Sequence, residues 1–166
     1  DGAERLDAQQ RARIERIRSA GAHLLSLIED VLDLAAVEAD ALPVELQPTP
    51  LDEAVDEVRQ WVAPLAAERA LTLHVQNSGG SVRADPRRLR QVLSNLMTNA
   101  IKYNRQGGQV WVAARRGALQ GGDGTLGWAL SVRDNGRGLS VEQQSHLFEP
   151  FNRLGAERDG IEGRGI

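Results

Sequence analysis

The 166-residue chain contains no cysteine. That excludes a disulfide-stapled scaffold and every thiolate metal site, and it fits a reducing compartment, with the cytoplasm as the expected location. Long apolar runs are missing as well. None approaches the roughly 20 residues that cross a bilayer, so no membrane contact is expected from this segment. A surplus of basic charge is also absent: 20 Lys and Arg stand against 23 Asp and Glu, for a net charge of −3. With no basic stripe along the chain, a nucleic-acid surface is not expected. The three histidines, His23, His74 and His146, are too scattered for a metal site. The chain opens on Asp1 with no preceding Met, which suggests a piece of a larger protein. Any anchor of the parent at the inner membrane would lie outside it. What remains, 41% hydrophobic and 26% charged residues, suffices for one domain plus an appendage.

The first element is legible from its spacing. Ile14, Ile17, Gly21, Leu24, Ile28, Val31 and Ala35 alternate by three and four, the seam of a coiled-coil or bundle helix, and Leu25 and Leu32 widen it. Asp7 followed by Gln10 supplies an N-cap with a reciprocal partner, so the helix is expected from near Ala8 to about Glu38, roughly 45 Å long. Pro43, Pro48 and Pro50 then mark an extended linker. The expected organisation is a bundle helix over 1–40, a linker over 41–50, and a second domain over 51–166.

In that domain LDEAVDEVRQWVAPLAAERA reads as an amphipathic helix that Pro64 can kink, and LTLHVQ alternates as a strand. NSGGSV reads as a turn, after which Asp85 and Pro86 open a helix running to about Lys102. QVWVAARR and WALSVRD read as strands joined by a glycine-rich loop. Trp61, Trp111 and Trp128 are expected at core or sheet-edge positions. The fold class is therefore α+β, a long helix followed by mixed strands and helices.

Polar residues gather at the ends of these elements. Asn95 and Asn99 lie four apart on one helix and so project together, with Lys102 and Tyr103 beyond them. DNGRG, Asp134 to Gly138, follows a strand directly, and GIEGRGI ends the chain after LFEPFNRLG. A glycine pair such as Gly136 and Gly138 by itself commonly marks only a turn. The four motifs in this order are more specific.

They resemble the sensor histidine kinases of two-component signalling, within the superfamily that includes gyrase, mismatch-repair and heat-shock chaperone ATPases. RQVLSNLMTNAIKYN is similar to the family's asparagine box, RDNGRGLS to its first glycine box, LFEPFNRL to its phenylalanine box, and GRGI to the start of its second glycine box. IRSAGAHLLSLIEDVLDLAAVEAD resembles the second helix of the dimerisation and phosphotransfer domain. The resemblance implies an α/β sandwich of that superfamily, C-terminally incomplete. It also implies binding of ATP with Mg2+ and transfer of the γ-phosphate to a histidine outside this chain, for relay to an aspartate on a response-regulator receiver domain.

By the same resemblance Asn99 is the magnesium ligand, which suits a hard cation that takes oxygen donors and keeps several waters. Lys102 offsets phosphate charge and Tyr103 packs against or hydrogen-bonds the nucleotide. Asp134 accepts a hydrogen bond from adenine's exocyclic amine, which guanine does not offer at that edge. Gly136 and Gly138 allow close approach to the base, Gly163 and Gly165 to the phosphates. Arg153 reaches a phosphate from a mobile lid over roughly Leu139 to Glu162. Superfamily members that hydrolyse ATP carry a glutamate where this chain has Asn95, and an amide does not take a proton from water at neutral pH. Transfer to another nucleophile is therefore expected.

The family's acceptor motif, a histidine followed by an acidic residue and a proline, is absent from this sequence. His23 lies in the second-helix pattern and reads as a packed or half-exposed bundle residue. The chain alone is thus expected to be inactive, to bind ATP weakly at best, and to form a homodimer through its helical seam. The rival reading is a non-catalytic nucleotide-binding or dimerisation scaffold, a degenerate kinase.

Overall fold

The computed structural model describes residues 7–39, 41–76, 79–118, 126–147 and 149. Those up to Pro43 belong to one compact unit and those of Val44–Leu147 to another. The first holds α1, Ala8–Glu38, with the bounds its periodicity predicts. Asp7 caps it reciprocally: its Oδ1 accepts from the Gln10 N–H at 2.7 Å, while Gln10 Oε1 accepts from the Asp7 N–H at 2.9 Å. The seam residues Ile14, Ile17, Leu24, Ile28 and Val31 are all exposed. An amphipathic helix gains little from such a stripe until another surface covers it.

The second unit is built from β1 (Gln47–Pro50), α2 (Leu51–Glu68), β2 (Thr72–Gln76), β3 (Ser81–Ala84), α3 (Pro86–Lys102), β4 (Gln109–Ala118), β5 (Leu126–Asp134) and the short α4 (Val141–Ser145). β2, β4 and β5 form a three-stranded sheet in that order, β2 parallel and β5 antiparallel to β4. α2 and α3 pack together and against it. The alternation of a strand sends Leu73, Val75, Val110, Val112, Leu130 and Val132 to the helix-covered face. There they meet Val55, Val58 and Val62 of α2 and Leu93, Met97 and Ile101 of α3. His74, Trp111 and Arg133 form a cross-strand row on the other face, with the His74 and Trp111 rings stacked 5.6 Å apart and the Arg133 guanidinium 5.8 Å from the Trp111 ring.

Three local readings change. SVRA is a strand, paired antiparallel with QPTP, rather than part of a turn; two four-residue segments more than thirty positions apart give no alternation to detect. α2 runs unbroken through Pro64, whose missing N–H would have served the carbonyl of Gln60 on the exposed side of the helix, where water can replace it. Trp61 and Trp111 are neither core nor edge: Trp61 stands on the outer side of α2 and is 66% exposed, and Trp111 lies on the central strand β4, on the face away from the helices. Trp128 does pack inward, against Gly80, where an added Cβ would lie 2.1 Å from the indole.

The C-terminal ends of α2 and α3 are tied together. α2 closes with the Ala70 N–H bonded to Ala67 O at 3.0 Å and the Leu71 N–H to Ala66 O at 2.9 Å. Ala70 takes φ +53°, a left-handed conformation usually left to glycine. That closure holds Arg69 where its Nη1 donates to the last helical carbonyl of α3, Lys102 O, at 2.9 Å. One orphan carbonyl of α3 is thereby satisfied by a cation, which also suits the negative end of the helix dipole.

Candidate functional site

α3 is amphipathic, and its two sides divide the labour. Leu93, Met97, Ala100 and Ile101 are buried against the sheet and α2. Asn95, Asn99 and Tyr103 fall at i, i+4 and i+8, one above another on a different face. Both asparagines are exposed, and among the described residues neither side-chain amide has a hydrogen-bond partner. Lys102, half-buried beside them, likewise has no carboxylate partner among the described residues. Tyr103 is the C-cap, its N–H bonded to Asn99 O at 3.0 Å.

The strand side arrives through the register of β5. Asp134 pairs with Val110, which is fully buried beneath the helices, so the pleat puts Asp134 on the same side of the sheet as α3. The chain then turns so that Asp134 Oδ1 accepts from the Gly136 N–H at 2.8 Å, which leaves Oδ2 without a partner among the described residues. Gly136 is seated against α3: a Cβ there would lie 2.5 Å from Tyr103 O, 2.9 Å from the Asn104 Cα and 2.9 Å from Asp134 Oδ1. No side chain fits. Gly138 serves a different need, adopting φ +66°. Between the two glycines, the Arg137 N–H points to Tyr103 O at 3.5 Å and its guanidinium lies 5.1 Å from the centre of the Tyr103 ring.

A buried clasp fixes this approach. Asn104 Nδ2 donates to Ala100 O and to Gln109 O, each at 3.1 Å, and its Oδ1 accepts from the Arg105 N–H at 2.9 Å. Asn135 Oδ1 accepts from the Gln109 N–H at 2.7 Å. Gly108 is squeezed between the two amides, since its Cβ would sit 2.1 Å from Asn104 Oδ1 and 2.9 Å from Asn135 Oδ1. The end of α3, the start of β4 and the turn after β5 are thus locked by two asparagine side chains.

Of the residues singled out in the sequence, the structure brings Asn99, Lys102, Tyr103, Asp134, Gly136 and Gly138 to one end of α3. Asn95 lies one turn further back on the same face. Arg153, Gly163 and Gly165 lie outside the described residues, as does the side chain of His23. The lid expectation is described only at its start, where Ser140 caps α4 through its Oγ and the Gln143 N–H, 3.1 Å apart. Sequence reasoning missed Asn104, Asn135, Arg69 and Arg137. The two asparagines carried a signal, since each directly follows a named site residue at the end of a helix or strand. The two arginines carried none.

Elsewhere, a shallow hollow of about 220 Å³ lies at the opposite end of α3, lined by Thr49, Glu53, Glu57, Pro86 and Arg90 among others, with Arg90 and Glu57 paired across it at 3.3 Å. Among the described residues no group of three or more His, Asp or Glu is placed to hold a metal ion. A divalent cation at this site would take its oxygens mainly from phosphate and water, with an uncommitted amide such as that of Asn99 as the protein's share. The donor set fits magnesium on those terms.

The model of the family described as histidine kinase-, DNA gyrase B-, and HSP90-like ATPase matches residues 84–166. The chain belongs to that family, and its helix followed by an α/β sandwich has the fold of the histidine kinase members. It is 33% identical over 153 residues to the circadian input-output histidine kinase CikA of Synechococcus elongatus, covering 90% of this chain and 19% of the relative. It is 32% identical over 167 residues to the signal transduction histidine-protein kinase BarA of Escherichia coli, covering 97% and 18%. The full-length ShkA structure in complex with AMPPNP superposes with a TM-score of 0.73 at 31% identity, over 97% of this chain and 32% of that one. The chain therefore spans about one fifth of the length of these two curated relatives.

Proposed function

We propose that this chain is the ATP-binding catalytic region of a sensor histidine kinase, handing the γ-phosphate of ATP to a histidine that lies outside it. The observation that carries the reading is Gly136: seated against Tyr103 O and Asp134 Oδ1, it brings a strand-end carboxylate up to the C-terminal end of the helix that bears Asn95 and Asn99. Asp134 Oδ2 is suited to accept from the exocyclic amine of adenine, a donor that guanine lacks at that position. Asn99 would contribute its amide oxygen to Mg2+, and the ion supplies charge neutralisation at the phosphates when bound. Lys102 and Arg137 add positive charge at the same end of α3. Asn95 supplies no base for water, which favours an imidazole nitrogen as nucleophile. The bond to the β–γ bridging oxygen breaks as the nitrogen–phosphorus bond forms, and ADP departs.

The rest of the assignment leans on the relatives. Relay to an aspartate of a receiver domain, a homodimer formed through the exposed seam of α1, and a cytoplasmic location belong to this proposal. The test is titration with a fluorescent ATP analogue. The wild-type chain is expected to bind, and Asp134→Ala to lose about ten- to a hundredfold in affinity, the worth of one charge-assisted hydrogen bond. A folded wild-type chain with no affinity for adenine nucleotides would leave only the scaffold reading.

A further inference from the structure

We infer that Arg137 is a positioning residue for the nucleotide: by stacking its guanidinium on Tyr103 it clamps the turn after β5 to the C-cap of α3 and so sets Asp134 against the Asn99 face. This role rests on the proposed nucleotide site and adds a residue that neither the motif pattern nor the expected ligand chemistry calls for.

Three observations converge. Gly136 has no room to retreat toward α3, so the turn is in van der Waals contact with the helix end and a small rotation would separate them. The main-chain tie from the Arg137 N–H to Tyr103 O is long, 3.5 Å, and contributes little alone. The guanidinium, 5.1 Å from the ring centre, supplies the second tie between the same two residues. Asn104 and Asn135 hold the turn from its β4 side, through Gln109, but neither reaches beyond Gly136. The contact of Arg137 with Tyr103 ties the far half of the turn, toward Gly138, to the end of α3 through side chains. It also presents Tyr103 as a fixed plate, so that a base or ribose packing on the ring meets a preorganised surface.

A clamp predicts a different fingerprint from a phosphate ligand. Calorimetric titrations with AMP, ADP and ATP in magnesium, run well below the melting temperature, would compare wild type with Arg137→Ala, Arg137→Lys and Tyr103→Leu, and with Arg137→Ala in the Tyr103→Leu background. Arg137→Ala is expected to weaken all three nucleotides by the same factor, about two- to fivefold. Arg137→Lys should recover part of that loss, and Arg137→Ala should have no further effect once the ring is gone. Melting curves of each variant show that folded protein is being titrated. A loss that grows with the number of phosphates would make Arg137 a direct ligand and overturn the inference, as would an unchanged affinity or an undiminished effect without Tyr103. A wild-type chain that binds none of the three sinks the nucleotide reading itself, and is told apart because no variant comparison then exists.

Discussion

At the N-terminal end of α3 the polar groups are spent on the fold. Asp85 Oδ1 accepts from the Arg87 and Arg88 N–H groups at 2.9 and 3.3 Å, and its Oδ2 from the Glu45 N–H at 3.2 Å. Arg90 pairs with Glu57. At the C-terminal end the backbone is equally well served, by Arg69 and by the Asn104 clasp, yet the side chains of Asn95, Asn99 and Lys102 and one carboxylate oxygen of Asp134 hold no partner among the described residues. A fold has no use for exposed amides gathered on one face, so a group left unspent beside a rigid clasp is where a ligand is to be sought. The contrast lies in commitment, since both ends carry similar residue types.

If that contrast is right, breaking the clasp should cost the most stability. Asn104→Ala leaves Gln109 O and the Arg105 N–H without their side-chain partner at a buried position, and is expected to lose about 1–3 kcal/mol in denaturant unfolding. Asn99→Ala should do the reverse: no measurable change in melting, but about a tenfold weaker ATP affinity in magnesium and almost none in its absence, for one lost ligand of a hydrated ion. An equal loss with and without the metal would show that the amide reads something else.

The opposite end answers to pH. The Asp85 carboxyl is held below its usual range, chiefly by the hydrogen bond from the Glu45 backbone, then by those from Arg88 and Arg87 and by the Arg88 charge, against an opposing effect of burial. The charged form is therefore the one the native state favours. Its stabilisation is complete above the unfolded-state pKa and fades as pH falls through the folded value. Asp85→Ala should melt at a lower temperature than wild type at neutral pH, with the gap narrowing as pH falls below about 4. Nucleotide affinity should not move. The smallest effect belongs to Trp61, whose replacement by Ala should change stability by less than about 0.5 kcal/mol, since the side chain is 66% exposed.

Much of the molecule is legible in the sequence where the determinants are local. The capping pair Asp7 and Gln10 and the Asp85–Pro86 start need only neighbours a few residues away, so α1 and α3 appear where periodicity and caps put them. β1 and β3 escaped because each is four residues long and is defined by the other across the sequence. Trp61 escaped because apolarity does not say which side of a helix the sheet will reach. The site divides the same way. Asn95, Asn99 and Tyr103 share a face by helical arithmetic alone, and Asp134 ends a strand by alternation. The long-range partners of Asn104, Asn135 and Arg69 were not readable, since the main-chain groups they reach at Gln109, Gln109 and Lys102 lie 5, 26 and 33 positions away and depend on how separate segments pack.

The order of residues alone therefore settled the helices and the alternating strands, because propensity, capping and periodicity act over a turn or two of chain. Only the packed structure decided that Asp134 and the Asn99 face lie on one side of the sheet. That outcome depends on the β4–β5 register and on a glycine fitting where no side chain can, and both are set by contacts between segments that the sequence keeps apart.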